Sequence, residues 1–265
     1  MTEELDVLTS IDRAVGTITI NRPHKLNAFT TGTLRRLRIA LEKMGRDPSV
    51  GVIVLTGAGD RAFCAGGDVT TEDEEAFTSG ADALDELNRE LYREFRRCLT
   101  PIIVRVNGYA IGGGHHMAYM GDFTIASDKS IFGQNGPRVA SPAEGWIVSH
   151  LWSVVGLKRA KEIWMLCRRY PAQKALDWGL INAVVPEAEL DDEVRRWADE
   201  LLALSPTVLK LIKRSFDESV AIVHGPDTAE SYLPEVNPDF FSSGEQEEGA
   251  SAFMEKRQPD FARFR

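Results

Sequence analysis

Two glycine-rich stretches carry the clearest chemistry in this chain: Phe63-Cys64-Ala65-Gly66-Gly67-Asp68 and Gly108-Tyr109-Ala110-Ile111-Gly112-Gly113-Gly114-His115-His116. Each follows a run of β-branched residues, so two strands are expected to end at one small, backbone-lined place. Glycine lets a bare N–H approach a ligand closely, and two such donors aimed at one carbonyl oxygen form an oxyanion hole, a strong device for holding an enolate or tetrahedral anion. Taken singly, each stretch also reads as ordinary turn chemistry. His115 and His116 stand at an expected helix start, where the helix dipole lowers an imidazole's pKa and suits a neutral donor or acceptor.

Positioning these turns needs an alternating α/β core. Residues 7–11 and 16–21 read as a hairpin turning at 12–14, and 31–44 place Leu34, Leu37, Leu41 and Met44 at helical spacing. Residues 52–56 read as a buried parallel strand, 84–99 as an amphipathic helix and 102–106 as the strand before the second glycine turn. Helical signal resumes at 115–120, followed by strands at 123–126 and 130–132. A loop at 133–144 is broken by Pro137 and Pro142. Helices at 146–154, 157–167, 172–178 and 190–204, with a strand at 181–185, complete the core. Further helices are expected at 206–219 and 249–256.

The chain has 265 residues, 43% hydrophobic and 27% charged, with a formal net charge of −9. That balance argues against a general nucleic-acid binder. No apolar run reaches membrane-spanning length and residues 1–12 show no signal pattern, so a soluble, cytoplasmic protein is expected. Cys64, Cys98 and Cys167 lie far apart without metal-ligand spacing, which suggests neither disulfides nor a metal site.

With both turns at strand ends of one α/β core, the chain resembles the crotonase (enoyl-CoA hydratase/isomerase) superfamily over residues 7–265. Asn21-Arg22-Pro23 and Lys25-Leu26-Asn27-Ala28 are similar to its first coenzyme A loop, 63–68 to its first oxyanion turn and 108–114 to its second. The resemblance implies a crotonase-like ββα superhelix core, 1–204, and a C-terminal helical region, 205–265, for oligomerisation and site covering. It also implies an acyl-CoA substrate, oxyanion donors at Gly67 and Gly113, and a homotrimer or homohexamer. The coenzyme A residues it implies are Arg22, Lys25, Asn27, Ala28, Ala65, Lys256 and Arg257. Surface ion pairs are the competing reading for the charged ones. Coenzyme A enters as part of the substrate, and no tightly bound cofactor is expected.

Hydratases of the superfamily carry two glutamates where this chain has His116 and Gly136, which disfavours ordinary hydration. The nucleophilic aspartate of its dehalogenases aligns with Ala143. Segments 57–64, 132–139, 160–164 and 255–261 more narrowly resemble 1,4-dihydroxy-2-naphthoyl-CoA synthases and 2-ketocyclohexanecarboxyl-CoA hydrolases, which close or open β-keto rings. In the synthases a bicarbonate sits at positions that read Gln134, Gly136 and Trp164 here. Ser141 and Trp146 complete the expected pocket.

Their aspartate aligns with Ala143, leaving Glu144 as the nearest carboxylate; a contact with the following helix's dipole is the competing role for Glu144. Their C-terminal tyrosine aligns with Phe241. His116 is the remaining acid–base candidate, His150 reads as packing, and His24 and His224 as loop residues. The acidic run 71–75 reads as a solvated flap or as disorder. Ring-opening hydrolysis of a cyclic β-keto acyl-CoA is the expected reaction. Hydration or isomerisation, ring closure and non-catalytic acyl-CoA binding are the alternatives.

Overall fold

The computed structural model describes residues 5–68, 81–143, 145–224 and 237–264, and no side chains at 81–85, 217–224 and 263. The acidic run 71–75 and Glu144 lie outside the described residues. Among the described residues ten strands, numbered along the chain, form two sheets. The chain opens with β1 (Val7–Asp12) and β2 (Val15–Ile20), paired antiparallel. Between them Arg13 and Ala14 both have positive φ, 46° and 64°, which a two-residue hairpin turn of right-handed twist requires.

From β3 onward the chain climbs as a spiral. A long strand in the first sheet leads into a short strand in the second, and then into a helix. The units begin with β3 (Val52–Gly57) and β4 (Ala62–Cys64), then β5 (Ile102–Val106) and β6 (Tyr109–Ile111), then β7 (Phe123–Ser127) and β8 (Ile131–Gly133). β9 (Tyr170–Pro171) closes the second sheet antiparallel to β8, and β10 (Ala183–Val185) ends the first sheet parallel to β7. Strand order is β1-β2-β3-β5-β7-β10 in the first sheet and β4-β6-β8-β9 in the second. Every residue of β3 is buried, as expected of a parallel strand covered on both faces.

The helices are α1 (Thr31–Arg46), α2 (Ala81–Arg97), α3 (Gly113–Met120), α4 (Gly136–Val139), α5 (Trp146–Val155), α6 (Leu157–Leu166), α7 (Ala172–Asp177), α8 (Leu190–Leu202), α9 (Pro206–His224) and α10 (Glu245–Met254). A capping box of Thr30 and Thr33 starts α1, whose Leu34, Leu37, Leu41 and Met44 enter the main core. That core lies between the sheets and α1, α2, α3, α5 and α6. A smaller one packs Val15, Val52, Val54, Ile103 and Ile125 against Leu190, Val194 and Ala198 of α8.

Where the structure departs from the sequence reading, the elements are short. The second-sheet strands β4 and β6 stand between each long strand and its glycine turn, so the turns follow them and not the β-branched runs directly. Three residues carry too little alternation to register as a strand. The 133–144 loop contains α4, while α9 runs five residues past 219, so His224 closes a helix instead of lying in a loop. α10 begins at Glu245 and packs on α4, where a Cβ at Gly249 would stand 2.5 Å from the Val139 carbonyl carbon. Among the described residues no helix is long and apolar enough to cross a membrane.

Candidate active site

The two glycine turns touch backbone to backbone. A methyl group on Gly66 would stand 3.1 Å from the Ile111 carbonyl oxygen and 3.5 Å from Gly113 N. Gly66 and Gly112 have φ of +97° and +55°, a region costly for residues with a Cβ. Phe29 pins the first turn: its N–H donates to Gly66 O and its carbonyl accepts from Asp68 N, both at 2.9 Å. In that parallel bridge the Gly67 N–H faces away from Phe29. Gly113 opens α3, where an N–H has no partner within the helix. Neither amide has an acceptor among the described residues. Both line one cavity of about 220 Å³.

A buried polar row runs beside these amides. Gln134 Nε2 donates to His115 Nδ1 at 2.9 Å, and Gln134 Oε1 accepts from His116 Nε2 at 3.2 Å. An amide has distinct ends, so this fixes both rings: His116 Nδ1 is left as an acceptor for the Tyr92 hydroxyl at 2.7 Å, and the same hydroxyl stands 3.3 Å from Asn88 Oδ1. His115 Nε2, at the far end, is buried without a partner among the described residues. Burial pulls both imidazoles down from the ordinary 6.5, His116 to about 4 and His115 to about 3, the latter further lowered by His116 and Arg169. Both rings are therefore neutral at pH 7.

Tyr92, His116 and Gln134 line the cavity, with Gly136, Ser141, Ala143, Trp146 and Trp164. Tyr92 escaped the sequence reading. Its signal was its place beside Leu91 on the buried face of α2, an ordinary aromatic position until His116 gives its hydroxyl a partner.

Gly136 has no room for the glutamate of a hydratase, since a Cβ there would meet Ser141 O at 2.8 Å. Both ends of the Gln134 amide are taken by imidazoles. In contrast, the indole nitrogens of Trp146 and Trp164 are buried with no acceptor among the described residues. His150 stacks on Trp146 at 4.5 Å, the packing role expected of it, with the Arg96 guanidinium over the same indole ring at 4.9 Å. Phe241, at the position of the relatives' tail tyrosine, is exposed and does not line the cavity within this chain, whereas Phe253 of α10 reaches the wall.

The expected coenzyme A residues separate into two groups. Arg22 and Asn27 lie inside the loop. Arg22 is 6% exposed, its guanidinium donates to Ala28 O and to Asp68 Oδ2 at 3.0 Å, and so it braces the loop from inside. Asn27 is fully buried; its amide donates to Ala58 O and Ala62 O and its Oδ1 accepts from Arg22 N. Arg257 forms a two-point pair with Glu248 at 2.6 and 3.0 Å and a contact with Glu255 at 2.6 Å, clipping the tail onto α10. Lys25 is half-buried at the loop surface and Lys256 is exposed. Ala65 lines the cavity and its N–H donates to Leu26 O at 3.1 Å, while Ala28 is buried beside it. No cluster of metal-ligating side chains occurs among the described residues.

Two contacting glycine turns at the ends of parallel strands, carried on a two-sheet spiral, define the class. A family model described as enoyl-CoA hydratase/isomerase matches residues 10–263, and the chain belongs to that family. Its two-sheet spiral with a helical C-terminal region is the crotonase fold, and it is an acyl-CoA enzyme of that superfamily. The chain is similar to an enoyl-CoA hydratase from Mycobacterium avium subsp. paratuberculosis K-10, with 27% identity and a TM-score of 0.85 over 97% of this chain and 98% of that one. It is similar to a methylmalonyl-CoA decarboxylase in complex with 2-nitronate-propionyl-CoA, with 27% identity and a TM-score of 0.84 over the same shares. An enoyl-CoA hydratase subunit I from Geobacillus kaustophilus HTA426 shares 32% identity, with a TM-score of 0.75 over 98% of this chain and 99% of that one.

Proposed function

We propose that this enzyme breaks a C–C bond beside a thioester carbonyl by hydrolytic ring opening of a cyclic β-keto acyl-CoA, holding the resulting enolate on the Gly67 and Gly113 amides. The observation that carries the reading is the pair of unpartnered N–H groups on two touching turns in one cavity. Donors fixed before the reaction need no reorganisation when charge develops on the thioester oxygen, and each is worth about 3 kcal/mol of barrier. The cavity wall supports cleavage over hydration: an imidazole and a glycine occupy the positions of the hydratase glutamates, and Asp68 is tied to Arg22. The indole N–H groups of Trp146 and Trp164 would receive a keto or carboxylate oxygen of the acyl group, or a bicarbonate. Lys25 and Lys256 would meet the coenzyme phosphates. The exposed Val208, Leu211, Ile212 and Phe216 of α9 would serve self-association into a trimer or hexamer.

Hydration or isomerisation is the second reading, favoured by the family description and by two of the similar structures. It needs a carboxylate, which Glu144, next in sequence to the cavity residue Ala143, would supply.

The test is incubation with 2-ketocyclohexanecarboxyl-CoA and with crotonyl-CoA in ¹⁸O-water, followed by mass spectrometry. Ring opening adds one water and places the label in a new carboxylate. Turnover of crotonyl-CoA alone, with the label in a hydroxyl, would replace the first reading with the second, and binding of both thioesters without turnover would refute both.

A further inference from the structure

We propose that Tyr92 is the acid–base residue of this site and that His116 stores its proton. The inference rests on the enolate reading above. Tyr92 is buried on α2 and lines the cavity with Gly67 and Gly113, while His116 lies in the first turn of the helix that Gly113 opens. The His116 ring is held from its far side: Nε2 donates to Gln134 Oε1, and Gln134 is in turn fixed by His115 and, through its backbone carbonyl, by Arg169 at 2.6 Å. Its Nδ1 lone pair is given to the Tyr92 hydroxyl at 2.7 Å, the shorter of that hydroxyl's two contacts, the other being Asn88 Oδ1 at 3.3 Å on the cavity wall. The hydroxyl is thus the link between a neutral base and the reacting atoms. The other groups around the ring are Tyr119 and Trp164, at 5.9 and 5.1 Å between centroids, and neither is a base at neutral pH. On the cavity wall Asp68 is paired with Arg22, and Arg89 is a cation.

The proton inventory closes without another reactant. Water adds its oxygen to the ring ketone and gives a proton to Tyr92 Oη, as the tyrosine's own proton moves to His116 Nδ1. The ring C–C bond then breaks. Its electron pair passes to the α-carbon and the thioester oxygen, leaving a carboxylic acid where the ketone stood. The proton returns from His116 through Tyr92 to the α-carbon. The imidazolium appears with the tetrahedral oxyanion at the ketone and vanishes with the enolate that follows it, so the closed site never holds one charge without the other.

Tyr92→Phe removes the hydroxyl and keeps the ring. His116→Asn keeps an acceptor near the Nδ1 position that can hold the hydroxyl but cannot take its proton. Both variants should lower kcat for 2-ketocyclohexanecarboxyl-CoA by about 10²-fold or more, while the Kd for propionyl-CoA stays within about threefold, which also reports an intact fold. A Tyr92→Phe enzyme within about threefold of the parent kcat overturns the role of Tyr92, and full rescue by His116→Asn overturns the proton store. If the unaltered enzyme leaves the ketone untouched, the ring-opening reading fails and the nitronate of 2-nitropropionyl-CoA decides the inference. The parent should hold this enolate mimic more tightly than propionyl-CoA, and each variant should lose about tenfold of that preference. An unchanged preference overturns the assignment.

Discussion

Gly113→Ala tests the contact between the two turns. The added methyl group would stand 2.5 Å from both Cε1 and Cζ of Phe29, whereas ordinary contact begins near 3.4 Å. The ring or the helix start must therefore yield by about 0.9 Å, at a stability cost of about 1–3 kcal/mol. Phe29 has little freedom to move, because it is buried and its backbone holds Gly66 and Asp68 of the other turn. The Gly113 N–H survives the substitution but is displaced. A positioned group moved by 1 Å costs about 10²-fold in rate, or about 2.7 kcal/mol. The assay is kcat on the thioester that turns over, with the Kd of propionyl-CoA and a urea melt alongside. Adding Phe29→Leu removes the two clashing ring atoms and should recover at least about tenfold, a coupling of about 1.4 kcal/mol. A single variant within about threefold of the parent kcat, or a double variant without recovery, would refute the argument that these turns must meet as they do.

Three further outcomes follow from the interior. His115 and His116 bind protons less readily in the fold, at about 3 and 4, than the ordinary 6.5, so the unfolded chain takes up more protons across that window. Stability should be complete above pH 6.5 and fall as pH drops through 4 toward 3; Tm against pH should show this, and His116→Asn should about halve the slope above 4, where His115 still contributes. Arg22→Ala breaks a buried ion pair with Asp68 and should cost about 3–5 kcal/mol by urea denaturation, whereas a loss below about 1 kcal/mol would assign it the worth of a surface pair. Burial pushes the Cys64 thiol up to about 12, so a thiol reagent at pH 8 should label it only after unfolding; rapid labelling of the native protein would contradict its burial.

Much of the spiral was legible because long elements repeat their period often enough to be read. α1 shows four apolar positions at helical spacing, and β3 is a β-branched run between turn residues. The short strands β4, β6 and β9 carried no such signal, because two or three residues cannot show a period and their pairing is set by tertiary contacts. The site divides the same way. Glycine turns announce themselves through composition, but whether two of them touch depends on the spiral's pitch. Arg22 shows the limit for charges: its segment reads as phosphate-binding, yet Asp68, 46 positions away in sequence, draws it inward. Tyr92 acquires meaning only when α2, α3 and the end of β8 converge.

The unpartnered amides belong to main chain at strand ends, whereas the groups around them are side chains delivered separately by α2, α3, the segment after β8, and α6. On the proposed reading, polarising power and proton handling are therefore inherited through different parts of the gene. On that reading a lineage would exchange residues 92, 116, 136 or 143 and change which bond of a bound thioester gives way, with the glycine turns left standing. Relatives built on the same spiral are then best sorted by those few lining positions, and overall likeness alone is a poor guide to their chemistry.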